Sequence, residues 1–290
     1  MSALLCGLIG TGIGASLTPA LHMAEAEHHG LEYDYRILDL AEPGLAVDDL
    51  PVLFESVRTR GFRGLNITHP CKQRVIELLD ELSPDAARLG AVNTVLFEGD
   101  RAIGHNTDWS GFGRNLDGGL TGARFDRVVQ LGAGGAGAAV GYALLDRGAR
   151  ALTIVDADLG RAGALADSLG EHFADRELSA APADRLAEML APADGLVHAT
   201  PMGMAEHPGM ALPAELLRPD LWVAEVVYRP VETELLHRAR AVGARTLTGA
   251  GMAVYQAADA FEIFTGIAPD ATRMAAHMDM LLSREALFAN

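Results

Sequence analysis

The stretch Arg127-Val128-Val129-Gln130-Leu131-Gly132-Ala133-Gly134-Gly135-Ala136-Gly137 decides the fold. Val128, Val129 and Leu131 make Arg127 to Leu131 read as a short buried strand, and Ala138 to Arg147 reads as a helix closed near Gly148. Between them lies G-x-G-x-x-G. Alone that pattern is weak. Here it follows a strand, opens a helix and precedes a second strand, Ala151 to Val155, which ends on Asp156 at about the 20-residue distance expected of a ribose-binding acid. Glycines let the backbone approach a pyrophosphate, and a helix N-terminus offers N–H groups and positive potential. Gly132, Ala133, Gly134, Gly135, Ala136 and Gly137 are therefore the candidate dinucleotide cradle. Asp156 suits the two adenosine ribose hydroxyls and repels a 2′-phosphate, which predicts NAD rather than NADP.

Working outward, Gly195 to Ala199 and Trp222 to Val227 read as later strands of the same unit. On the N-terminal side, strands Leu4 to Ile9, Tyr33 to Leu38, Gly64 to Thr68 and Ala91 to Phe97 alternate with helices. The helices are Pro19 to His29, with Thr18 as N-cap and Gly30 as stop, then Leu50 to Arg60 and Lys72 to Leu82. Gly251 to Asn290 is helical in pattern. The fold class expected is α/β, with two domains flanking a cleft. One is an N-terminal α/β substrate domain (1–108 plus 251–290). The other is a Rossmann-type, doubly wound dinucleotide-binding domain (109–250). A second glycine-rich loop, Gly10-Thr11-Gly12-Ile13-Gly14, also follows a strand, with Asp39 downstream. Its third glycine is misplaced, so it reads as a substrate-side loop.

The chain has 290 residues, 49% hydrophobic and 21% charged, with a formal net charge of −16. That excludes a disordered chain and argues against nucleic acid or an anionic membrane surface as partner. Cys6 and Cys71 cannot form a disulfide framework. No basic leader region, lipidation motif or apolar run of about 18 residues is seen, so a soluble cytoplasmic protein is expected. No H-E-x-x-H or comparable spacing occurs, and no metal is expected. His22 and His69 lie beside the proposed site, where His69 reads as a hydrogen-bonded structural histidine, with substrate contact as the alternative. No base is evident to activate Cys71, and Trp109 reads as packing at the domain junction.

Three polar segments fall at strand ends: Asn66-Ile67-Thr68-His69-Pro70-Cys71-Lys72, Ala91-Val92-Asn93-Thr94 and Gly104-His105-Asn106-Thr107-Asp108. With Ser16-Leu17-Thr18-Pro19, Ala199-Thr200-Pro201-Met202-Gly203, Val227-Tyr228-Arg229-Pro230 and Gly249-Ala250-Gly251-Met252 leading to Gln256, they closely resemble the shikimate dehydrogenase family over nearly the whole chain. The resemblance implies Lys72 and Asp108 as the catalytic pair. Oxidising a secondary alcohol releases a hydride and a proton, and the proton needs an acceptor in hydrogen-bond reach. Which of the two carries it is open in the sequence; Lys72 is assigned as main acid/base and Asp108 as its partner. The resemblance also implies Ser16 and Thr18 on the substrate carboxylate, Asn66, Thr68, Asn93 and Gln256 on ring hydroxyls, and Tyr228 near the substrate. It further implies Thr200, Val226 and Gly249 near the nicotinamide and ribose.

Two departures refine this. Thr18 stands where the common family has a second serine. Asp156-Ala157-Asp158-Leu159-Gly160-Arg161 stands where NADP-dependent members carry a phosphate-binding arginine segment, although Arg161 remains. Both point to the NAD-dependent quinate/shikimate dehydrogenase branch, a catabolic or bifunctional role. The expected reaction is reversible oxidation of quinate or shikimate to the 3-dehydro compound, with a homodimer as the assembly considered. The alternatives are an NADP-linked shikimate or aminoshikimate dehydrogenase, and a non-catalytic dinucleotide- or quinate-sensing protein on the same fold.

Overall fold

β1 (Leu4–Gly10), the apolar run at the start of the sequence, sits inside a six-stranded mixed sheet. The structure, a computed structural model, describes residues 3–288. The chain divides into two units, Met1–Thr107 with Val254–Asn290, and Asp108–Ala253.

In the first unit β1 is followed by α1 (Thr18–His28), β2 (Tyr33–Asp39), α2 (Leu50–Thr59), β3 (Gly64–Ile67), β4 (Glu81–Leu82), α3 (Pro84–Leu89), β5 (Thr94–Glu98) and β6 (Arg101–His105). The sheet order is β2-β1-β3-β5-β6-β4. β1 pairs in parallel with β2 and β3, whereas β5 runs antiparallel to β3 and β6. Both faces of β1 are buried. Ile9 joins Phe54, Leu65, Ile67 and Phe97 on one side, and Cys6 and Leu8 join Tyr35, Ala260 and Phe264 on the other. Such double burial explains the near-continuous apolar run.

The second unit contains α4 (Asp108–Gly119), β7 (Arg127–Leu131), α5 (Gly135–Asp146), β8 (Ala151–Val155), α6 (Leu159–Gly170), β9 (Glu177–Ala181), α7 (Leu186–Leu190), β10 (Gly195–His198), β11 (Trp222–Glu225), α8 (Glu234–Ala241) and β12 (Thr246–Leu247). Its sheet is entirely parallel, in the order β12-β11-β10-β7-β8-β9. The order reverses between β7 and β10. The carboxyl ends of those two strands are where doubly wound sheets receive ligands. α9 (Gly249–Thr265) carries the chain back to the first unit, and α10 (Ala271–Phe288) follows.

Three local expectations change. Lys72 to Leu82 is not one helix: a 3-10 turn at Arg74–Leu78 is followed by β4, because Asp80 pairs with Ala102 through N–H to O (2.9 Å) and Ala102 N–H to Oδ2 (2.7 Å). β6, which carries no strong periodic signal, supplies that partner. Thr18 is not an N-cap. Leu17 holds that place, and no side chain caps the helix. The C-terminal helical stretch begins earlier, at Gly249, and breaks near Gly266 (φ +72°) and Pro269; positions 289 and 290 lie outside the described residues.

α1 and α10 are clasped by Glu25. Its carboxylate is 1% exposed and accepts from Arg273 Nε (2.9 Å) and Nη2 (2.6 Å), from the Asp270 N–H (2.8 Å) and from His29 (3.1 Å). No helix of the described residues is long and apolar enough to cross a membrane.

Candidate active site

In the first unit the predicted polar residues gather at strand ends. Ser16 and Thr18 are half-buried, with hydroxyls 3.2 Å apart, and the Thr18 N–H donates to Ser16 Oγ (3.3 Å). Asn66, at 4% exposure, is held on all sides. Its Oδ1 accepts the Tyr35 hydroxyl (2.7 Å), and its Nδ2 donates to the Asn93 carbonyl (3.3 Å) and Thr94 Oγ1 (3.1 Å). Its remaining capacity is a lone pair on Oδ1, so toward a ligand it can only accept.

The frame continues from there. Asn93 Nδ2 donates to Thr107 Oγ1 (3.0 Å), the Thr107 N–H donates to Asn93 Oδ1 (2.7 Å), and Thr107 Oγ1 donates to the Gln256 carbonyl (3.0 Å). Lys72 is half-buried, and its carbonyl accepts the Val92 N–H (2.8 Å). Thr68 is half-buried, and its N–H donates to the Ile9 carbonyl (2.9 Å). The main chain at Lys72, Asn93, Thr107 and Gln256 is thereby tied into one body. Buried polar groups persist only when hydrogen-bonded, and a connected set becomes rigid. Tyr35, Thr94 and Thr107 belong to this frame, yet sequence reading did not single them out. Two lie inside quoted motifs, and Tyr35 is an inward position of a period-2 strand.

The loop Gly10 to Gly14 proves to be self-occupied. Asp39, at the end of β2, accepts the Gly12 and Ile13 N–H groups, both at 2.8 Å, and the Ala41 N–H at 2.8 Å. Burial raises the Asp39 carboxyl, but these backbone bonds outweigh it and hold it below the usual range.

His22 and the two cysteines are packing groups, whereas His69 is not. His22 is fully buried against Tyr33, with Nδ1 3.0 Å from the hydroxyl. His69 is exposed, and its carbonyl accepts the Thr11 N–H (3.1 Å). Cys6 and Cys71 are buried thiols, and burial pushes Cys6 up to about 12.

In the second unit the glycine-rich turn at Gly132 to Gly137 is tightly packed. Gly132 has φ +102°, and a Cβ there would lie 2.6 Å from the Ala199 carbonyl oxygen and 3.0 Å from Thr200 Cγ2. A Cβ on Gly137 would lie 2.3 Å from the Gly132 carbonyl oxygen. The wholly buried Gln130 holds the loop from below, its Nε2 donating to the Gly132 (2.8 Å) and Gly137 (2.9 Å) carbonyls. Gly134 is the N-cap of α5 and provides no capping side chain. The first-turn N–H groups of α5, from Gly135 and Ala136, are thus presented as an anion site. Val226 and Gly249 meet closely, since a Cβ on Gly249 would be 2.2 Å from the Val226 carbonyl oxygen. Tyr228 is half-buried just beyond β11, and Asp108 is buried at the first position of α4. Trp109 packs edge-on against Tyr142 of α5, with centroids 5.3 Å apart, inside this unit.

Asp156 is more committed than its sequence position suggests. Its Oδ2 accepts the Ala133 N–H (2.8 Å), and its Oδ1 accepts the Asp158 N–H (2.9 Å) and Arg161 Nη2 (2.6 Å). Burial raises its carboxyl, but those bonds and the guanidinium outweigh burial and hold it low. Asp158 caps α6 through the Gly160 N–H (2.9 Å) and the Arg161 N–H (3.2 Å). Two carboxylates and one guanidinium therefore stand at the end of β8. Among the described residues no group of three His, Cys, Asp or Glu is placed to hold a metal.

The chain resembles proteins already known. Residues 8–95 match the shikimate dehydrogenase substrate binding domain, and residues 249–278 match the shikimate 5′-dehydrogenase C-terminal domain. It is 58% identical to the shikimate dehydrogenase (NADP(+)) of Streptomyces avermitilis, over 98% of this chain and 97% of that one. It is 48% identical to the quinate/shikimate dehydrogenase (NAD(+)) of Corynebacterium glutamicum, over 94% of this chain and 96% of the relative. Among solved structures, the quinate dehydrogenase of Corynebacterium glutamicum in complex with NAD is similar at a TM-score of 0.90. That match has 48% identity and covers 95% of this chain and 98% of the other.

Proposed function

The chain belongs to the shikimate dehydrogenase family, and on that footing we propose that it is an oxidoreductase that reversibly oxidises a ring hydroxyl of quinate or shikimate with NAD. The observation that carries the proposal is the rigid polar frame joining the backbone of Lys72 to Asn93, Thr107 and Gln256. A site built from fixed hydroxyls and amides suits a polyhydroxylated ring, because an analogue lacking one hydroxyl leaves a buried group unpaired.

The first unit holds the cyclitol acid in this reading. Ser16 and Thr18 donate hydroxyls to its carboxylate. Thr68, Asn93 and Gln256 meet the ring hydroxyls, Asn66 accepts from one of them through Oδ1, and Tyr228 lies near the substrate. Lys72 Nζ takes the hydroxyl proton as the carbinol carbon loses its hydride, and returns it in the reverse direction. Asp108 is its carboxylate partner, orienting rather than storing the proton. When bound, the dinucleotide supplies the hydride acceptor. Gly132 to Gly137 would hold its pyrophosphate, Asp156, Asp158 and Arg161 its adenosine ribose, and Thr200, Val226 and Gly249 its nicotinamide half.

NAD is favoured because two carboxylates face one guanidinium at the ribose corner, and a 2′-phosphate would add charge of the wrong sign. A second reading, NADP, draws support from Arg161. It is 60% exposed and has only to leave Asp156 to meet a phosphate. The relative from Streptomyces also bears NADP in its name. The decisive experiment is a kinetic matrix of quinate and shikimate, each with NAD and NADP, together with Lys72→Ala. We expect higher kcat/KM with NAD, and a loss of turnover in Lys72→Ala without loss of dinucleotide binding. Preference for NADP would overturn the cofactor choice. Absence of turnover with either acid would overturn the dehydrogenase reading.

A further inference from the structure

We propose that a buried pair, Glu225 and His198, is a positioning device that fixes the direction of the Thr200 hydroxyl beside the dinucleotide cradle. The inference rests on the dinucleotide reading above and adds two residues to it. β10 and β11 run in parallel, with His198 directly beside Glu225 at their carboxyl ends. Both residues are 1% exposed. An acid and an imidazole are costly to bury unless each polar atom has a partner.

The partners define a direction. Glu225 Oε1 lies 2.7 Å from His198 Nδ1, and the Val227 N–H donates to the same oxygen at 3.4 Å. Glu225 Oε2 accepts the Thr233 hydroxyl at 3.1 Å, while Thr233 Oγ1 accepts the Leu236 N–H at 3.3 Å and so caps α8. A carboxylate only accepts, so the ring nitrogen facing it carries hydrogen. In the proposed arrangement that is the ring's one hydrogen, and Nε2 is an acceptor. Thr200 Oγ1 lies 2.5 Å from Nε2, and in this arrangement its hydroxyl donates there. The Met202 N–H donates into Thr200 Oγ1 at 3.2 Å. One lone pair of the Thr200 oxygen is then left to face outward, as an acceptor.

Its place gives that lone pair a purpose. Thr200 follows β10 at the reversal of strand order, and its methyl packs against Gly132, the first glycine of the cradle. An acceptor there selects a donor and disfavours an anion. The fitting groups are a carboxamide N–H or a ribose hydroxyl of the nicotinamide half, not a phosphate. His198 and Glu225 do not touch the ligand in this scheme; they act through Thr200.

The test is a double-mutant cycle read by NADH binding, followed by fluorescence. It needs no turnover, so a protein that binds NADH but oxidises neither acid would sink the dehydrogenase reading and leave this test intact. Thr200→Val is expected to weaken binding about five- to tenfold, the worth of one hydrogen bond. His198→Asn should do the same alone, yet add less than about twofold in the Thr200→Val background, since coupled residues are not additive. Thr200→Ser should keep both the affinity and the sensitivity to His198. Glu225→Gln, run through the same cycle, guards against a His198 variant that fails to fold. ADP-ribose as a second ligand assigns the donor: a parallel loss points to the ribose hydroxyl, and a loss confined to NADH points to the carboxamide. Losses that multiply fully in the double variant, or NADH affinity unchanged by His198→Asn, would overturn the proposal.

Discussion

Lowering the pH from 7 to 5 should destabilise the first unit through His22. This ring is 0% exposed, with Nδ1 3.0 Å from the Tyr33 hydroxyl. Tyr35, Phe264 and Phe261 surround it at centroid distances of 4.9, 5.8 and 6.0 Å. Nε2 is buried without a hydrogen-bond partner. Burial pushes the imidazole down from 6.5 to about 3. The folded ring stays neutral between those values while the unfolded ring takes a proton. The contribution to stability is therefore complete above 6.5 and is lost as pH falls from there toward 3. At about 1.4 kcal/mol per pH unit, the interval from 6.5 to 5 costs about 2 kcal/mol. Urea unfolding at pH 7 and pH 5, followed by circular dichroism, measures it. His22→Asn keeps a polar atom for Tyr33 but does not titrate, so its pH 5 loss should be smaller than that of the parent by this amount. Equal losses in the two proteins would refute the reasoning, whatever the variant's stability at pH 7.

Gly132→Ala should weaken NADH binding at least tenfold, because the Cβ meets the Ala199 carbonyl at 2.6 Å and φ is +102°; titration at equal protein concentration checks it. Arg273→Met should lower the urea midpoint of the first unit, since it strips the guanidinium from a buried Glu25; an unchanged midpoint would contradict this. Asp156→Asn should raise kcat/KM with NADP relative to NAD, by freeing Arg161 and removing one charge; an unaltered ratio would mean that this corner does not read the 2′ position.

Much of the fold was legible because its signals are local. β7 and β8 span the residues their apolar runs predict, each closed by a glycine or an aspartate. β4 and β6 were not legible. A two-residue strand has no period, and β4 exists only because its backbone pairs with β6 from 22 residues away. Val75, Ile76, Leu78 and Leu79 have helical spacing, but the chain turns after one short 3-10 segment to satisfy that pairing. In the candidate site, the motifs mark the strand ends, and the structure shows what each end is bound to. Asn66 looks available in the letters, yet Tyr35, Asn93 and Thr94 use most of its capacity. His198 and Glu225 are 27 residues apart, and only the register of two parallel strands makes them neighbours.

The loop at Gly10 to Gly14 carries its own anion. Because Asp39 is tethered to that loop, its carboxylate is present there at an effective concentration on the order of millimolar or above. A free phosphate must displace it before it can bind, and gains no net charge neutralisation by doing so. In the second unit the corresponding clasp from Asp156 takes the Ala133 N–H and leaves the start of α5 open. Two loops of similar composition are thus sorted by internal competition, one closed to external anions and the other available.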